Sequence, residues 1–270
     1  MDPRGKTIVV TGAAGGIGGA LVRALASRGA RAVVATDLDE APLQVLADEL
    51  EPARVIPRVL DVTDEQGTRE LVGSVEREVG PVDVFFANAG LATGGGPEAP
   101  DESWTAQWQV NLMSHVYAAR ALIDGWLRRR EGHLVTTASM AGLLSAQGDA
   151  AYSATKHAAV GFAEWLAFTY GGRGVRVSCI CPGAVDTAML RAGAGGDAQK
   201  ASAAIGGGQV LSPADAVAQI LAELAEDRFL IFTHPAMRDL VVGKARDPER
   251  WIEGMIRLWA RTQKLLGRDG

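Results

Sequence analysis

The sequence predicts an α/β fold: a doubly wound parallel sheet of about seven strands with helices on both faces. Three observations predict it. Short apolar runs alternate with stretches of helical periodicity along most of the 270 residues. The runs are continuous, as strands buried on both faces require, and do not alternate with polar residues. The first run ends in a glycine cluster that opens directly into a helix.

The elements come in this order. Residues 6–10 form an apolar strand that ends at Thr11-Gly12. Residues 16–29 carry Ile17, Leu21, Val22 and Leu25 at helical spacing. A second strand covers 31–36 and a helix 39–50. The third strand, 55–60, contains Pro57, which removes a ladder donor. A helix at 64–79 leads to a fourth strand at 82–87, and one long helix is expected over 101–129. Strand 133–138, helix 150–170, strand 175–180, helix 213–225 and strand 229–233 continue the alternation. Residues 248–266 form an amphipathic helix. Nothing reads as a linker, so a single domain over 1–270 is expected, with 188–210 as a substrate lid and 235–270 as a helical extension.

Composition narrows the function. Hydrophobic residues make up 47% and charged residues 22%, as in a globular chain. The net charge of −5 argues against a nucleic-acid partner. No run of 18 apolar residues predicts a membrane span, and the N-terminus lacks a secretory pattern, so a cytoplasmic protein is expected. Cys179 and Cys181 lie one residue apart in a strand, where a bridge would be strained; buried free thiols are expected. Four scattered histidines offer no metal-ligand spacing. Glycine stands out, with 33 residues, fourteen of them in clusters at 12–19, 94–96, 193–196 and 206–208.

The first cluster reads Gly12-x3-Gly16-Ile17-Gly18. Glycines there let the backbone approach a pyrophosphate, and the adjoining helix presents its N–H groups and positive dipole end. Asp37, with Leu38 after it, closes the second strand 19 residues beyond Gly18. A carboxylate there accepts hydrogen bonds from both ribose hydroxyls of an adenosine and repels a 2′-phosphate. No Arg or Lys stands in the turn or just after Asp37 to receive that phosphate, so NAD is favoured over NADP. Asp61, after the third strand, is placed to meet the adenine edge.

These pieces continue in order with Asp61-Val62, Asn88-Ala89-Gly90, Asn111, Ser139, Tyr152-x3-Lys156 and Pro182-Gly183-x-Val185-x-Thr187. Together, over residues 6 to 187, they resemble the single-domain branch of the short-chain dehydrogenase/reductase family, which has a Rossmann-like fold. The resemblance implies hydride transfer between a nicotinamide and an alcohol or carbonyl. Tyr152 and Lys156 are four apart and share a helix face. A neighbouring ammonium lowers a phenol's pKa, so Tyr152 is expected to exchange a proton with the substrate oxygen near neutral pH. Ser139 ends the fifth strand, where its hydroxyl can hold that oxygen. By resemblance, Lys156 also binds the nicotinamide ribose, Asn111 supports a water leading to Lys156, and Thr187 bonds the nicotinamide amide.

Met140, Leu144, Gln147 and Met189 are the candidate substrate residues, with Leu143, Leu190 and residues 91–93 around them. Most are apolar, and Arg191 and Lys200 nearby read as surface charge, so an uncharged hydrophobic ketone or secondary alcohol is expected. Shorter acyl-carrier ketoreductases of the family end soon after their last strand; this chain continues for 35 residues beyond Pro235. Trp251, Ile252, Met255, Ile256 and Trp259 form an apolar stripe there that fits core packing, a cover over the pocket or a subunit contact. Helix 150–170 carries more apolar residues than one buried face needs, and the resemblance implies a homodimer or homotetramer. Three alternatives stand beside an NAD-dependent alcohol oxidoreductase: an acyl-carrier-type 3-ketoacyl reductase, an isomerase or lyase of the extended branch, and a non-catalytic nucleotide sensor. The glycine spacing and the length disfavour the isomerase or lyase; the presence of both Tyr152 and Lys156 disfavours the sensor.

Overall fold

The computed structural model describes residues 1–192 and 208–265. Seven parallel strands form one sheet in the order β3-β2-β1-β4-β5-β6-β7. They are β1 (Thr7–Thr11), β2 (Ala32–Asp37), β3 (Val55–Val59), β4 (Val84–Ala87), β5 (Gly132–Thr137), β6 (Val175–Cys181) and β7 (Leu230–Phe232). The register pairs Val9 with Val34 and Phe85, and Leu134 with Phe85 and Val177. Strand order reverses between β1 and β4, which opens a crevice at the strands' carboxyl ends.

Successive residues of a strand face opposite sides, and here both sides are buried. Val9, Phe85, Leu134 and Cys179 join one core with Leu71 of α3 (Glu65–Glu78), Leu122 of α5 (Ser114–Arg129) and Ala159 of α7 (Ala150–Tyr170). Their strand neighbours Ile8, Phe86, Val135 and Ile180 join a second core. That core takes Leu21 of α1 (Gly16–Ser27), Leu43 of α2 (Glu40–Glu49) and Ile220 of α9 (Pro213–Ala225). Continuous apolar runs in the sequence are therefore two-faced burial in the structure. Pro57 sits on β3, at the sheet edge, where a missing ladder donor is tolerated.

Two departures from expectation bear on the site. The helix expected over 101–129 is split. Helix α4 (Asp101–Trp108) passes through a π-helical turn, Gln109–Met113, before α5 begins. One inserted residue rotates the downstream helix and carries Asn111 into the interior; such turns recur at functional sites. Among the described residues three further α-helices appear: α6 (Ala141–Leu144), α8 (Ala188–Ala192) and α10 (Met237–Arg246). Helix α10 precedes α11 (Pro248–Leu265), the expected amphipathic helix. Cys179 and Cys181 are buried and unpaired. Most of the expected lid, including Lys200 and the glycines at 193–196, 206 and 207, lies outside the described residues, as do residues 266–270.

Candidate active site

Every strand of the sheet delivers a candidate residue or its support to the same carboxyl edge. After β1, the chain turns through Gly12 at φ +66°, and a Cβ there would lie 2.9 Å from Ala89 Cα. A Cβ on Gly18 would collide with the Gly12 carbonyl oxygen. The glycines thus pack α1 against the strand and against the Asn88-Ala89-Gly90 turn. Ile17 packs on the second core. Thr11 Oγ1 accepts from the N–H groups of Asn88 (2.9 Å) and Ala89 (3.0 Å), and Asn88 Nδ2 donates to Thr11 O.

Helix α1 differs at its start from α2 and α9, the helices that share its core. Helices α2, α3, α7 and α9 are each capped by a side chain: Asp39, Asp64, Asp149 and Ser212. The N-cap position of α1 is Gly15, so the helix has no side-chain cap, and it has no acid in its first turn. A Cβ on Gly15 would meet nothing within 4 Å. Open space over uncapped amides fits a pyrophosphate. Asp37 stands at the edge of this space and accepts from the N–H groups of Ala14 (2.9 Å) and Leu38 (2.8 Å). The Leu38 side chain is 67% exposed. On the far side, a Cβ on Gly16 would lie 3.1 Å from Thr187 Cγ2, so Thr187 closes over the glycine turn. Asp61 is exposed, and its carboxylate accepts from the backbone and hydroxyl of its neighbour Thr63 (2.8 and 2.7 Å). Val62 lines a small cavity with Thr11, Leu60 and Ser114.

The catalytic candidates meet deeper along the crevice. Lys156 is buried, and its Nζ donates to Thr137 O at 2.9 Å and lies 5.6 Å from the centre of the Tyr152 ring. A Cβ on Gly90 would be 3.5 Å from both Lys156 Nζ and Asn111 Oδ1, and 3.6 Å from Met189 Cε. The Ser139 side chain lies near the Tyr152 phenol, where it favours the phenolate, and Ser139 Oγ accepts from Ala141 N at 3.0 Å. Asn111 is fully buried: its Oδ1 accepts from Leu91 N, and its Nδ2 donates to Leu91 O and Thr155 Oγ1. Its side chain therefore pins the loop after β4 to α7. Pro182 O accepts from Met140 N at 2.9 Å, which ties the Ser139 turn to the Pro182-Gly183 turn. Val185 is buried and pairs with Leu211.

Electrostatics correct one expectation. Burial pulls the Lys156 ammonium down to about 8. Burial also pushes the Tyr152 phenol above its ordinary value, outweighing the opposite effect of the neighbouring Ser139 side chain. The neighbouring ammonium does not dominate; desolvation of the phenolate does.

The substrate candidates divide. Met189 reaches Gly90 and Lys156. Met140 and Leu144 are buried in the first core. Gln147 is held by the C-terminal helix, through Met255 O (3.3 Å) and Thr262 Oγ1 (3.1 Å). Arg191 forms a two-point pair with Asp186 at 2.7 Å and is not a free charge.

Sequence reasoning passed over Asp149. This buried carboxylate caps α7 at Tyr152 N (2.9 Å), accepts from Gly94 N (2.8 Å) and accepts from Gln107 Nε2 (3.2 Å). It joins the two walls of the crevice. The signal was present: an Asp three residues before Tyr152, at the head of an apolar helix, is an N-cap pattern.

A family model described as short chain dehydrogenase matches residues 6–195. The chain is 38% identical over 249 residues to 1-deoxy-11-beta-hydroxypentalenate dehydrogenase of Streptomyces exfoliatus, covering 88% of this chain and 86% of that protein. It is 33% identical over 193 residues to the 3-oxoacyl-acyl-carrier-protein reductase FabG of Escherichia coli, covering 71% of this chain and 78% of that protein. Among solved structures, a short chain dehydrogenase/reductase from Burkholderia phymatum in complex with NAD superposes with a TM-score of 0.83 at 31% identity, covering 92% of this chain and 96% of that one. Matched by the family model over residues 6–195 and by the Streptomyces relative and this solved structure over most of its length, the chain belongs to the short-chain dehydrogenase/reductase family of oxidoreductases acting on CH–OH groups.

Proposed function

We propose that this chain is an NAD(H)-dependent dehydrogenase that interconverts a secondary alcohol and a ketone on an uncharged, largely hydrophobic substrate. The observation that carries the reading is the buried Lys156 ammonium 5.6 Å from the centre of the Tyr152 ring in the crevice, with Ser139 beside the phenol. Tyr152 exchanges the proton of the substrate oxygen, Ser139 holds that oxygen, and Lys156 supports both the phenol and the nicotinamide ribose. The uncapped start of α1, Asp37 and Thr187 fit the cofactor, with Asp37 favouring NAD. When bound, the nicotinamide supplies the hydride acceptor or donor.

Asn111 acts by fixing the loop that carries Gly90. Apolar Met189 beside Gly90 supports a hydrophobic substrate. The Streptomyces relative, named as a dehydrogenase of a hydroxylated compound, supports an alcohol as the group acted on. We also propose one catalytic domain, with 188–210 as lid and 235–270 as extension, assembled at least as a dimer. The buried free thiols of Cys179 and Cys181 support a reducing, cytoplasmic setting.

Likeness to the acyl-carrier reductase favours a second reading, reduction of a 3-ketoacyl thioester. A substrate panel with NAD and NADP separates the two. Lipophilic secondary alcohols with NAD are the expected substrates. Preference for carrier-linked or other anionic substrates overturns the proposal.

A further inference from the structure

The chain between Ser139 and Tyr152 decides how the two proposed catalytic hydroxyls face each other, yet it has little structure of its own. Helix α6 holds four residues, too few to be stable alone. Ser145 then adopts φ +67°, a left-handed backbone conformation that side chains disfavour. Something outside this segment must hold it.

On its inner side the Ser153 hydroxyl bonds Ala146, and Asp149 caps α7. On its outer side the holding groups come from the C-terminal extension. The extension leaves β7 beside the Pro182-Gly183 turn, where Thr233 Oγ1 accepts from Gly183 N at 3.0 Å. Lys244 Nζ of α10 donates to Leu143 O at 2.6 Å. From α11, Met255 O accepts from Gln147 Nε2, and Thr262 Oγ1 donates to Gln147 Oε1. Thr262 is 3% exposed, although it lies near the end of the described chain. Met237, Val241 and Trp251 pack against the same core as Leu143.

We propose that α10 and α11 form a clamp for the active site: Lys244 and Thr262 are positioning residues that hold residues 143–147, and through them the alignment of Ser139 with Tyr152. A buried residue more than a hundred positions away thus acts on the reaction without touching substrate. The inference rests on reading Ser139 and Tyr152 as the groups that meet the substrate oxygen.

The test uses the full chain with Thr262→Val, which removes the donor at nearly constant volume, and with Lys244→Met. Three quantities are measured: kcat and KM for the alcohol, NADH affinity by fluorescence titration, and hydrogen exchange of the 140–148 amides. The clamp predicts faster exchange confined to that segment and a kcat/KM for the alcohol lowered about tenfold. NADH affinity stays at the wild-type value, and Thr262→Ser restores the kinetics. Unchanged exchange in 140–148, or a kinetic loss that Thr262→Ser does not rescue, overturns the proposal. A wild-type chain that binds NADH and turns over no alcohol defeats the functional reading alone; exchange in 140–148 then decides the clamp.

Discussion

Lys156 and Tyr152 stand one helical turn apart, with the Lys156 ammonium 5.6 Å from the centre of the Tyr152 ring and bonded to Thr137 O. The geometry places a cation beside a phenol, but burial moves the two groups in directions that oppose charge: the lysine is down at about 8 and the tyrosine is above its ordinary value. A phenol held neutral in the resting chain is a proton donor, the form that ketone reduction needs.

Asp149 is expected to support both stability and turnover. Asp149→Ala removes the cap at Tyr152 N and the acceptor for Gly94 N, and should cost about 1–2 kcal/mol in urea unfolding. Asp149→Asn keeps a capping oxygen and should recover most of that loss. Equal stability of Asp149→Ala and the wild type would contradict the structural role of this carboxylate.

Asp37 is expected to set the choice of cofactor. Replacing it with Ala removes a carboxylate bonded to the glycine-turn backbone at Ala14 N. KM for NAD should rise about tenfold, while KM for NADP falls. A wild-type enzyme that prefers NADP contradicts the assignment.

Two buried histidines predict acid sensitivity. Burial holds His115 and His133 down at about 3, against an ordinary value of 6.5. His133 Nε2 meets Ser178 Oγ at 3.0 Å; because that hydroxyl donates onward to Arg228 O, the ring is neutral with its proton on Nε2. Below pH 6.5 the unfolded chain binds protons that the folded chain refuses, so stability falls as pH falls from 6.5 toward 3. Each histidine contributes up to about 1.4 kcal/mol per pH unit within that window. Urea midpoints measured from pH 7 to pH 5 check the slope, and a flat profile contradicts it.

Helix α7 presents Trp165 and Phe168 at 49% and 71% exposure, their rings in edge contact with each other. If this face pairs subunits, Phe168→Glu should convert a dimer to a monomer in light scattering with the helix content unchanged. A wild-type monomer at working concentration ends that proposal.

The sheet was legible because strands buried on both faces read as apolar runs, and the glycine turn was legible because its backbone leaves no room for side chains at Gly12 and Gly18. The π turn at Asn111 was not, because a one-residue insertion hardly disturbs helical periodicity over a long segment. Helix α10 was hidden for a related reason: Met237 and Val241 are the apolar residues it packs on the core, too few to show a period. Met140 and Leu144 show a third limit, since an apolar residue after Ser139 serves a core and a pocket wall equally well. The contacts of Gln147 with α11 are long-range, and no local pattern announces them.

Tyr152 is the proposed proton-transferring group, and the rest of the site is arranged around it. The direct measurement is turnover of an alcohol by Tyr152→Phe, beside NADH binding by the same protein. The expected result is a kcat/KM reduced by about 10²–10⁴ or more, with NADH affinity retained. Full turnover in that variant would contradict the role of Tyr152.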